Sequence, residues 1–264
     1  MKTAIIIPAR YASTRFPGKP LAMLAGKTML ARVVELARKA AADFPGTGVY
    51  VTTDDERIKN HAGEIGVECL MTSPDCPTGS DRVLAAAKQL PDAPDFLLNL
   101  QGDAPFTPVT ALQALLDAYL ENPDVEVVTA VHRLSWADLD RLRENKKTTP
   151  FSGTTATVTH DGKALWFSKN IIPAMRKESE LRAAHPLSPV YQHFGLYGYR
   201  YGALEKFCAL PQGPYETLEG LEQLRFLENG ISIRAVSIDI ADGPLHSGID
   251  TPEDLARAEA LLKA

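Results

Sequence analysis

The sequence predicts an α/β fold, in which a mostly parallel sheet covered by helices on both faces is interrupted by a smaller β-rich insertion. Short continuous apolar runs alternate with longer segments of helical periodicity through the first half of the chain, which is typical of parallel strands joined by crossover helices. After about residue 145, β-branched and aromatic residues and an Asp-Gly turn predict antiparallel strands instead.

The elements of the first half follow from the apolar pattern. The run TAIIIPA (3–9) is apolar almost throughout, as expected of a strand buried on both faces. Segment 29–41 carries apolar residues at helical spacing and is predicted to be the first helix. By the same criteria, further strands are predicted at 48–54, 67–72, 95–103 and 125–134, and further helices at 55–65, 80–90 and 108–121.

The second half has a different pattern. Segment 151–169 predicts a β-hairpin, and segment 174–188, which is polar and aperiodic, predicts a loop. Further strands are predicted at 191–200 and 231–239, and helices at 215–229 and 250–264. We therefore expect an α/β domain formed by residues 1–145 and 230–264, and a β-rich subdomain formed by residues 146–229.

Composition excludes several classes of protein. The 264 residues, 45% of them apolar and 23% charged, suit one large or two small globular domains. Neither a stretch of about 18 uncharged apolar residues nor a signal peptide is recognisable, so no transmembrane helix is expected. A net charge of -5 without a basic patch argues weakly against a nucleic-acid or membrane partner, and three scattered cysteines favour the reduced cytoplasm.

The loop after the first strand, ARYASTRFPGKP, carries three cations although the chain is acidic overall. Ligands of parallel α/β sheets bind at the carboxyl ends of the strands, so Arg10, Arg15 and Lys19 are expected at the mouth of a site. They suit adjacent negative charges such as a triphosphate, and Gly18 would let the backbone approach the ligand. This predicts a Rossmann-like, nucleotide-binding sheet, with a solvated basic loop as the alternative.

Two carboxylates suggest a metal at the same edge. Gln101 and Asp103, in LQGDAP, end the fourth predicted strand. A carboxylate facing phosphates implies a divalent cation between them, and Mg²⁺ takes one or two protein carboxylates with phosphate oxygens and water. Asp250, in HSGIDTPEDL, is the second candidate ligand. The alternatives are that Asp103 caps the next helix, and that Asp250 or Thr251 caps the last one.

Two further groups suit the rest of a nucleotide and a sugar. The segment CPTGSDR (76–82) opens a helix whose free backbone N–H groups could bind an anion, although plain capping by Thr78 or Ser80 explains it equally well. Polar side chains along YQHFGLYGYR and LEGLEQLR could bind sugar hydroxyls. Glu219 is instead expected on a solvent-exposed helix face.

These motifs together resemble the 3-deoxy-manno-octulosonate (Kdo) cytidylyltransferase family, the CMP-Kdo synthetases, from about residue 3 to residue 260. The motifs are IIPARYASTRFPGKP, QGD.P, TGSDR, HFGLYGYR, LEQLR and GIDTPEDL. The resemblance implies a fold of the nucleotide-diphospho-sugar transferase type and Mg²⁺-dependent transfer of CMP from CTP to the anomeric hydroxyl of Kdo, with release of pyrophosphate. It also implies a homodimer that supplies lipopolysaccharide or capsule assembly, with residues 146–229 contributing to sugar binding and dimerisation.

The resemblance also implies roles for single residues. Catalysis would involve Arg10, Arg15, Lys19 and Asp103. The nucleotide would be held by Arg10, Arg15, Lys19, Thr78, Gly79, Ser80 and Arg82. The sugar acid would contact Gln101, Lys169, His193, Tyr197, Glu222 and Gln223, and the metal would be bound by Asp103 and Asp250.

The chain departs from the family pattern around the expected base and sugar pockets. The departures are Cys76, Ala104, Thr155, Lys169 and Gln192. They spare the phosphate and metal residues, so the acceptor could be Kdo or a variant sugar acid such as 8-amino-Kdo or a nine-carbon acid. A non-catalytic nucleotide-binding or scaffold protein is the alternative from another class, and the complete set of charges argues against it.

Overall fold

The computed structural model describes residues 2–13, 16–122, 124–239, 249 and 251–263. The strands are β1 (Thr3–Pro8), β2 (Met23–Leu24), β3 (Lys27–Thr28), β4 (Thr47–Thr53), β5 (Glu68–Met71), β6 (Phe96–Asn99), β7 (Val127–Ser135), β8 (Thr154–Val158), β9 (Ala164–Ser168), β10 (Leu187–Arg200) and β11 (Ile233–Ser237). The helices are α1 (Met29–Ala41), α2 (Glu56–Glu64), α3 (Gly79–Ala87), α4 (Val109–Glu121), α5 (Trp136–Thr148), α6 (Glu178–Ala184), α7 (Tyr201–Ala209), α8 (Pro214–Glu219), α9 (Leu224–Glu228) and α10 (Pro252–Lys263). A short 3₁₀ helix spans Lys19–Leu21. No helix in the described part of the chain is long and apolar enough to cross a membrane.

Strand pairing is mostly parallel, which confirms the predicted fold class. Strand β1 pairs in parallel with β4 and with β6, β4 pairs with β5, and β7 pairs with β11. Strand β10 runs antiparallel to β6. Strands β8 and β9 form the predicted antiparallel hairpin, and β8 also pairs with β10.

The chain divides into two compact units. Unit 1 comprises Met1–Asp117, Leu196–Cys208 and Gly243–Ala264, and unit 2 comprises Ala118–Gly195 and Ala209–Asp242. Unit 1 has the strand order β10–β6–β1–β4–β5, whereas unit 2 contains β7, β8, β9 and β11, and β10 supplies residues to both. Most of the predicted β-rich segment 146–229 thus belongs to unit 2, but its residues 196–208 belong to unit 1. Residues 118–145 and 230–242, predicted for the α/β domain, belong to unit 2, so the predicted domain boundaries differ from the two units. The roles predicted for segment 146–229 in sugar binding and dimerisation stay predictions.

Strand β1 is the centre of the unit 1 core. It is buried over its whole length, because it lies between two parallel strands and packs against α1 and α3. Helix α1 starts at Thr28, whose hydroxyl accepts the backbone N–H of Ala31. Helix α3 starts with a capping box between Thr78 and Asp81. These local signals place the ends of the helices, and so the loops that carry the candidate site.

Helices α5 and α6 were missed by the sequence analysis. Only Leu139 and Leu142 of α5 are buried, so its apolar stripe is too narrow to stand out. Helix α6 lies in the segment 174–188, for which a loop was wrongly predicted. Its residue Glu178 accepts hydrogen bonds from Arg143 of α5 at 2.7 and 2.8 Å, so contacts distant in sequence stabilise a helix that lacks periodicity.

Two other helical segments also differ from expectation. The single helix predicted at 215–229 is divided into α8 and α9, because Gly220 adopts a left-handed conformation with φ of 62° and ends α8. Helix α7, in unit 1, follows β10 without an intervening loop and was not predicted.

Candidate active site

The carboxyl ends of β1 and β6 meet at one edge of the unit 1 sheet. The backbone N–H of Gly102 donates to the carbonyl oxygen of Pro8 at 3.3 Å. A Cβ atom on residue 102 would lie only 2.8 Å from that oxygen, so the close approach requires glycine. The loop that starts after Pro8 and the segment Gln101–Asp103 therefore lie side by side, as the sequence predicted.

Lys19 and Asp103 form an ion pair at this edge. Lys19 Nζ donates to Asp103 Oδ2 at 2.5 Å, and the two side chains are 11% and 31% exposed. Helix α4 begins only at Val109, so Asp103 does not cap it and the structural alternative for this residue is wrong. A nearly buried ammonium beside a partly exposed carboxylate suits the binding of a phosphate together with a divalent cation.

Arg10 joins the cationic loop to a neighbouring loop. Its Nη2 donates to the carbonyl oxygen of Cys76 at 2.5 Å, just before the α3 N-terminus. Because the contact uses a main-chain oxygen, it does not depend on which side chain occupies position 76. Arg15 lies outside the described residues.

The start of α3 has a partly buried turn, formed by Thr78 and Gly79, followed by the buried residue Ser80. Thr78 caps the helix, and a Cβ atom on Gly79 would lie 3.5 Å from Gln101 Nε2, so this turn adjoins the Gln101–Asp103 segment. Ser80 is buried, with its hydroxyl oxygen 3.4 Å from that of Tyr199. The predicted nucleotide contacts of Thr78 and Gly79 stay predictions, as does that of Ser80.

Arg82 lies beneath this surface. It is fully buried, and its Nη1 donates to the Thr72 hydroxyl at 2.8 Å. Its Nη2 lies 3.4 Å from Asp54 Oδ2, and among the described residues Nε and Nη2 make no hydrogen bond. This position would let Arg82 support the ends of β4 and β5, whereas its predicted contact with the nucleotide stays a prediction.

Gln101 and Tyr197 lie on adjoining strands of unit 1. Gln101 Nε2 donates to Asn99 Oδ1 at 3.3 Å, and Asn99 pairs with Tyr197 across β6 and β10. The rings of Tyr197 and Tyr199 stack with centroids 5.9 Å apart, so the two tyrosines share a face, as the alternation predicted.

Lys169 belongs to a polar group in unit 2. Its backbone N–H and the Ser168 hydroxyl donate to the two carboxylate oxygens of Glu219, at 2.7 and 2.8 Å. Its Nζ donates to the Thr154 hydroxyl at 3.2 Å, and desolvation lowers its pKa. The expectation that Glu219 lies on a solvent-exposed helix face is therefore wrong, since its carboxylate anchors the end of β9.

Lys146 also belongs to the polar group around Lys169, although no role was predicted for it from the sequence. Its ammonium donates to four main-chain carbonyl oxygens, those of Pro150, Ser152, Gly153 and Lys169, at 2.6 to 3.3 Å. Burial lowers its pKa, and the nearby charge of Lys169 lowers it further. No sequence signal could identify it, because backbone carbonyls carry no residue-specific pattern.

Glu222 and Gln223 lie in the turn between α8 and α9. Gln223 is 3% exposed, and among the described residues its Nε2 donor has no hydrogen-bond partner. A buried donor without an acceptor destabilises the folded state unless a ligand or water accepts from it. This turn is therefore a candidate polar contact surface.

His193 lies on β10 with its imidazole desolvated, although the residue as a whole is only partly buried. Its Nε2 is 2.9 Å from the Thr129 hydroxyl oxygen, and its ring packs edge-on against Phe167. Desolvation, with a smaller contribution from the charge of Lys169, lowers its pKa from 6.5 to about 3. The ring is thus neutral at pH 7.

This shift predicts a pH-dependent stability. Between pH 6.5 and about 3 the unfolded chain protonates His193 while the folded chain does not. The free energy of unfolding therefore falls as the pH falls through this window, by up to about 1.4 kcal/mol per pH unit. Urea unfolding of wild type and His193→Gln at pH 7, 6 and 5 should show a shallower fall in the variant. His160→Gln, at an exposed site, is the control. If the free energy of unfolding falls with pH as steeply in His193→Gln as in His160→Gln, the lowered pKa of His193 is contradicted.

Metal binding by Asp103 and Asp250 stays a prediction. The described residues contain no cluster of three or more histidine, cysteine or acidic side chains that could bind a metal. The backbone N–H of Ile249 donates to the carbonyl oxygen of Asp103 at 2.9 Å, which brings the residue before Asp250 next to Asp103. Asp250 itself lies outside the described residues, but Thr251 is the N-cap of α10, so capping does not require it.

Comparisons with known proteins agree over nearly the whole chain. A cytidylyltransferase family model matches residues 4–233. The 3-deoxy-manno-octulosonate cytidylyltransferase of Maricaulis maris is 43% identical over 265 residues, covering 100% of this chain and 98% of that protein. The protein of the same name from Bacteroides thetaiotaomicron is 40% identical over 266 residues, with coverage of 100% and 99%.

Solved structures give the same result. A CMP:2-keto-3-deoxy-manno-octonic acid synthetase in complex with CTP is 33% identical, with a TM-score of 0.84 over 100% of this chain and 99% of that one. A 4-diphosphocytidyl-2C-methyl-D-erythritol synthase from Anaerococcus prevotii, at 13% identity and a TM-score of 0.61, shares the fold alone.

Proposed function

Since the chain belongs to the cytidylyltransferase family, among the 3-deoxy-manno-octulosonate cytidylyltransferases, we propose that it transfers CMP from CTP to the anomeric hydroxyl of Kdo. The observation that carries this proposal is the 43% identity to a protein of that name over the full length of both chains. In the reaction the sugar oxygen bonds to the α-phosphorus, the bond to the β-phosphate breaks, and pyrophosphate leaves. The hydroxyl proton passes to solvent.

We assign the triphosphate to the edge of unit 1. Lys19 is nearly buried beside Asp103, and Arg10 is anchored at Cys76, so both cations are held at the carboxyl end of β1. Positioned cations stabilise charge on the phosphoryl oxygens and on the departing pyrophosphate. Arg15, on the same loop, would add a third cation.

Mg²⁺ is the proposed metal, with Asp103 and Asp250 as its protein ligands. When bound, it would neutralise phosphate charge and lower the pKa of the attacking hydroxyl. Asp103 has a partly exposed carboxylate and lies beside Ile249, the residue that precedes Asp250. Lys19 would then pair with phosphate oxygens in place of Asp103.

The polar side chains proposed to contact the sugar acid are Gln101, Lys169, His193, Tyr197, Glu222 and Gln223. Lys169 offers an ammonium for the substrate carboxylate, and Gln223 has a buried donor that a sugar oxygen could accept from. His193, being neutral, can donate to or accept from a hydroxyl.

Kdo is preferred over a variant acceptor. The departures at Ala104, Lys169 and Gln192 alone suggested 8-amino-Kdo or a nine-carbon acid, but the relatives reported above are named for Kdo. Lysine keeps the positive charge that a substrate carboxylate needs, although it lacks the bidentate geometry of arginine. The variant acids thus enter the test as alternative outcomes.

A cytoplasmic homodimer that supplies lipopolysaccharide or capsule assembly is the proposed setting. Its support is the family relationship and the exposed large apolar side chains among the described residues of unit 2, namely Leu120, Phe151, Leu165, Leu187, Tyr215 and Leu218. A monomeric mass in sedimentation experiments at micromolar concentration would contradict the dimer.

Pyrophosphate release tests the function directly. The reaction would contain CTP, Mg²⁺ and one of four acceptor conditions: Kdo, 8-amino-Kdo, a sialic acid, or none. We expect release with Kdo, loss of release with excess EDTA, and recovery when Mg²⁺ is restored. Release with another acid only would show that the protein is a cytidylyltransferase whose acceptor is that acid and not Kdo. The absence of release across the panel would favour a binding protein.

A further inference from the structure

The base of the cationic loop is closed by a main-chain hydrogen bond. The N–H of Gly18 donates to the carbonyl oxygen of Tyr11 at 2.9 Å. A Cβ atom on Gly18 would lie 3.0 Å from the Tyr11 ring, so the ring packs directly on this glycine. Arg10 precedes Tyr11 and Lys19 follows Gly18, which means that the Tyr11–Gly18 contact sets where both cations leave the loop.

Arg57 covers the Tyr11 ring. Its guanidinium carbon lies 3.3 Å from the ring centroid, a distance at which a cation interacts with the face of an aromatic ring. Arg57 is the second residue of α2, so the contact joins the cationic loop to the helix that follows β4.

Asp55 fixes the orientation of the guanidinium. Its carboxylate accepts hydrogen bonds from Arg57 Nε at 2.9 Å and Nη2 at 2.6 Å, a bidentate geometry that restrains rotation of the group. The same carboxylate caps α2, and the Asp55 N–H donates to the Thr53 hydroxyl at the end of β4. The hydrogen bonds to Arg57 also lower the pKa of Asp55. Asp55 thus connects Arg57 to the sheet.

We propose that Arg57 is a positioning residue for CTP binding, which clamps Tyr11 and thereby holds Arg10 and Lys19 at the triphosphate. A lysine could place a charge over the ring but would lose the bidentate contact with Asp55. The effect on CTP binding rests on the proposed function, whereas the contact of Arg57 with Tyr11 can be tested without any substrate.

A matched control lies two residues further along α2. Lys59 pairs with Glu56 at 3.2 Å, and its side chain is exposed, as is that of Arg57 at 60%. Lys59→Gln removes one surface cation, and its ion pair with Glu56, from the same helix. The comparison with Arg57→Gln separates the contact with Tyr11 from the general loss of charge near the site.

Two measurements test the clamp. The first is amide hydrogen exchange at Gly18 without ligand, which should accelerate about two- to fivefold in Arg57→Gln and stay at the wild-type rate in Lys59→Gln. The second is steady-state pyrophosphate release, in which Arg57→Gln should raise the KM for CTP about two- to fivefold and leave the KM for Kdo unchanged. In Arg57→Lys, both the exchange rate at Gly18 and the KM for CTP should lie between those of wild type and Arg57→Gln.

The outcomes separate the clamp from the proposed function. Equal exchange rates and equal KM values in Arg57→Gln and Lys59→Gln would overturn the clamp. If wild type releases no pyrophosphate, the proposed function fails, and exchange at Gly18 still decides about the clamp: faster exchange in Arg57→Gln supports it, and unchanged exchange overturns it.

Discussion

Asp103→Ala is expected to lower kcat for pyrophosphate release by at least about 10²- to 10³-fold, the scale seen when one preorganised charge is removed from an active site. The variant loses a proposed Mg²⁺ ligand and the carboxylate that holds Lys19 at 2.5 Å. Both losses weaken the stabilisation of charge on the phosphoryl group. The measurement is kcat at saturating CTP and Kdo, over a range of Mg²⁺ concentrations.

The fold should survive this change. Asp103 is 31% exposed, so water can reach the Lys19 ammonium when the carboxylate is gone, and Tm should fall by only a few degrees. Asp92→Ala is the matched control, because it also removes a carboxylate paired with a lysine in unit 1, at the exposed pair Lys2–Asp92. Turnover of Asp103→Ala equal to that of this control would refute the metal assignment.

Arg225→Met is expected to have the largest effect on stability, lowering the free energy of unfolding by about 3 to 5 kcal/mol. Arg225 donates from Nε and Nη2 to the two carboxylate oxygens of Glu216, at 2.7 and 2.6 Å. The two side chains are only 8% and 4% exposed. Removing the cation leaves a buried carboxylate without its partner, and chemical unfolding at pH 7 measures the cost.

The position of this pair connects stability with the candidate site. It joins α8 to α9, and Glu222 and Gln223 lie in the turn between them. Arg225→Met should therefore also raise the KM for Kdo more than the KM for CTP.

Two comparisons sharpen the test of the buried pair. Arg143→Met removes a bidentate partner of Glu178 at a site where the side chains are 36% and 27% exposed, so its cost should be about 1 kcal/mol or less. The double variant Glu216→Leu/Arg225→Met should recover part of the lost stability, because no unpaired charge stays buried. An Arg225→Met cost no larger than that of Arg143→Met would contradict the account of the buried pair.

Local sequence patterns were sufficient to predict the position of a candidate site residue where its motif directly follows a strand. The loop with Arg10 and Lys19 was recognised because it follows the apolar run of β1, and Asp103 because it follows β6. Both strands end at the same sheet edge, so the parallel fold alone implied that these residues lie together. The positions of α5 and α6 were not predictable in this way, because α5 buries only two leucines and α6 buries no residue, so neither has a clear apolar stripe.

The sequence by itself determined the fold class, the family and the set of charged residues at the mouth of the sheet, because strand periodicity and motif spacing are local properties of the chain. Tertiary structure decided which of these residues are partners. Lys19 and Asp103 are 84 positions apart, and Lys169 and Glu219 are 50 apart. Only folding could show that Arg57 covers Tyr11 or that Lys146 binds four carbonyl oxygens, since such contacts depend on distances in space and leave no trace in the order of residues.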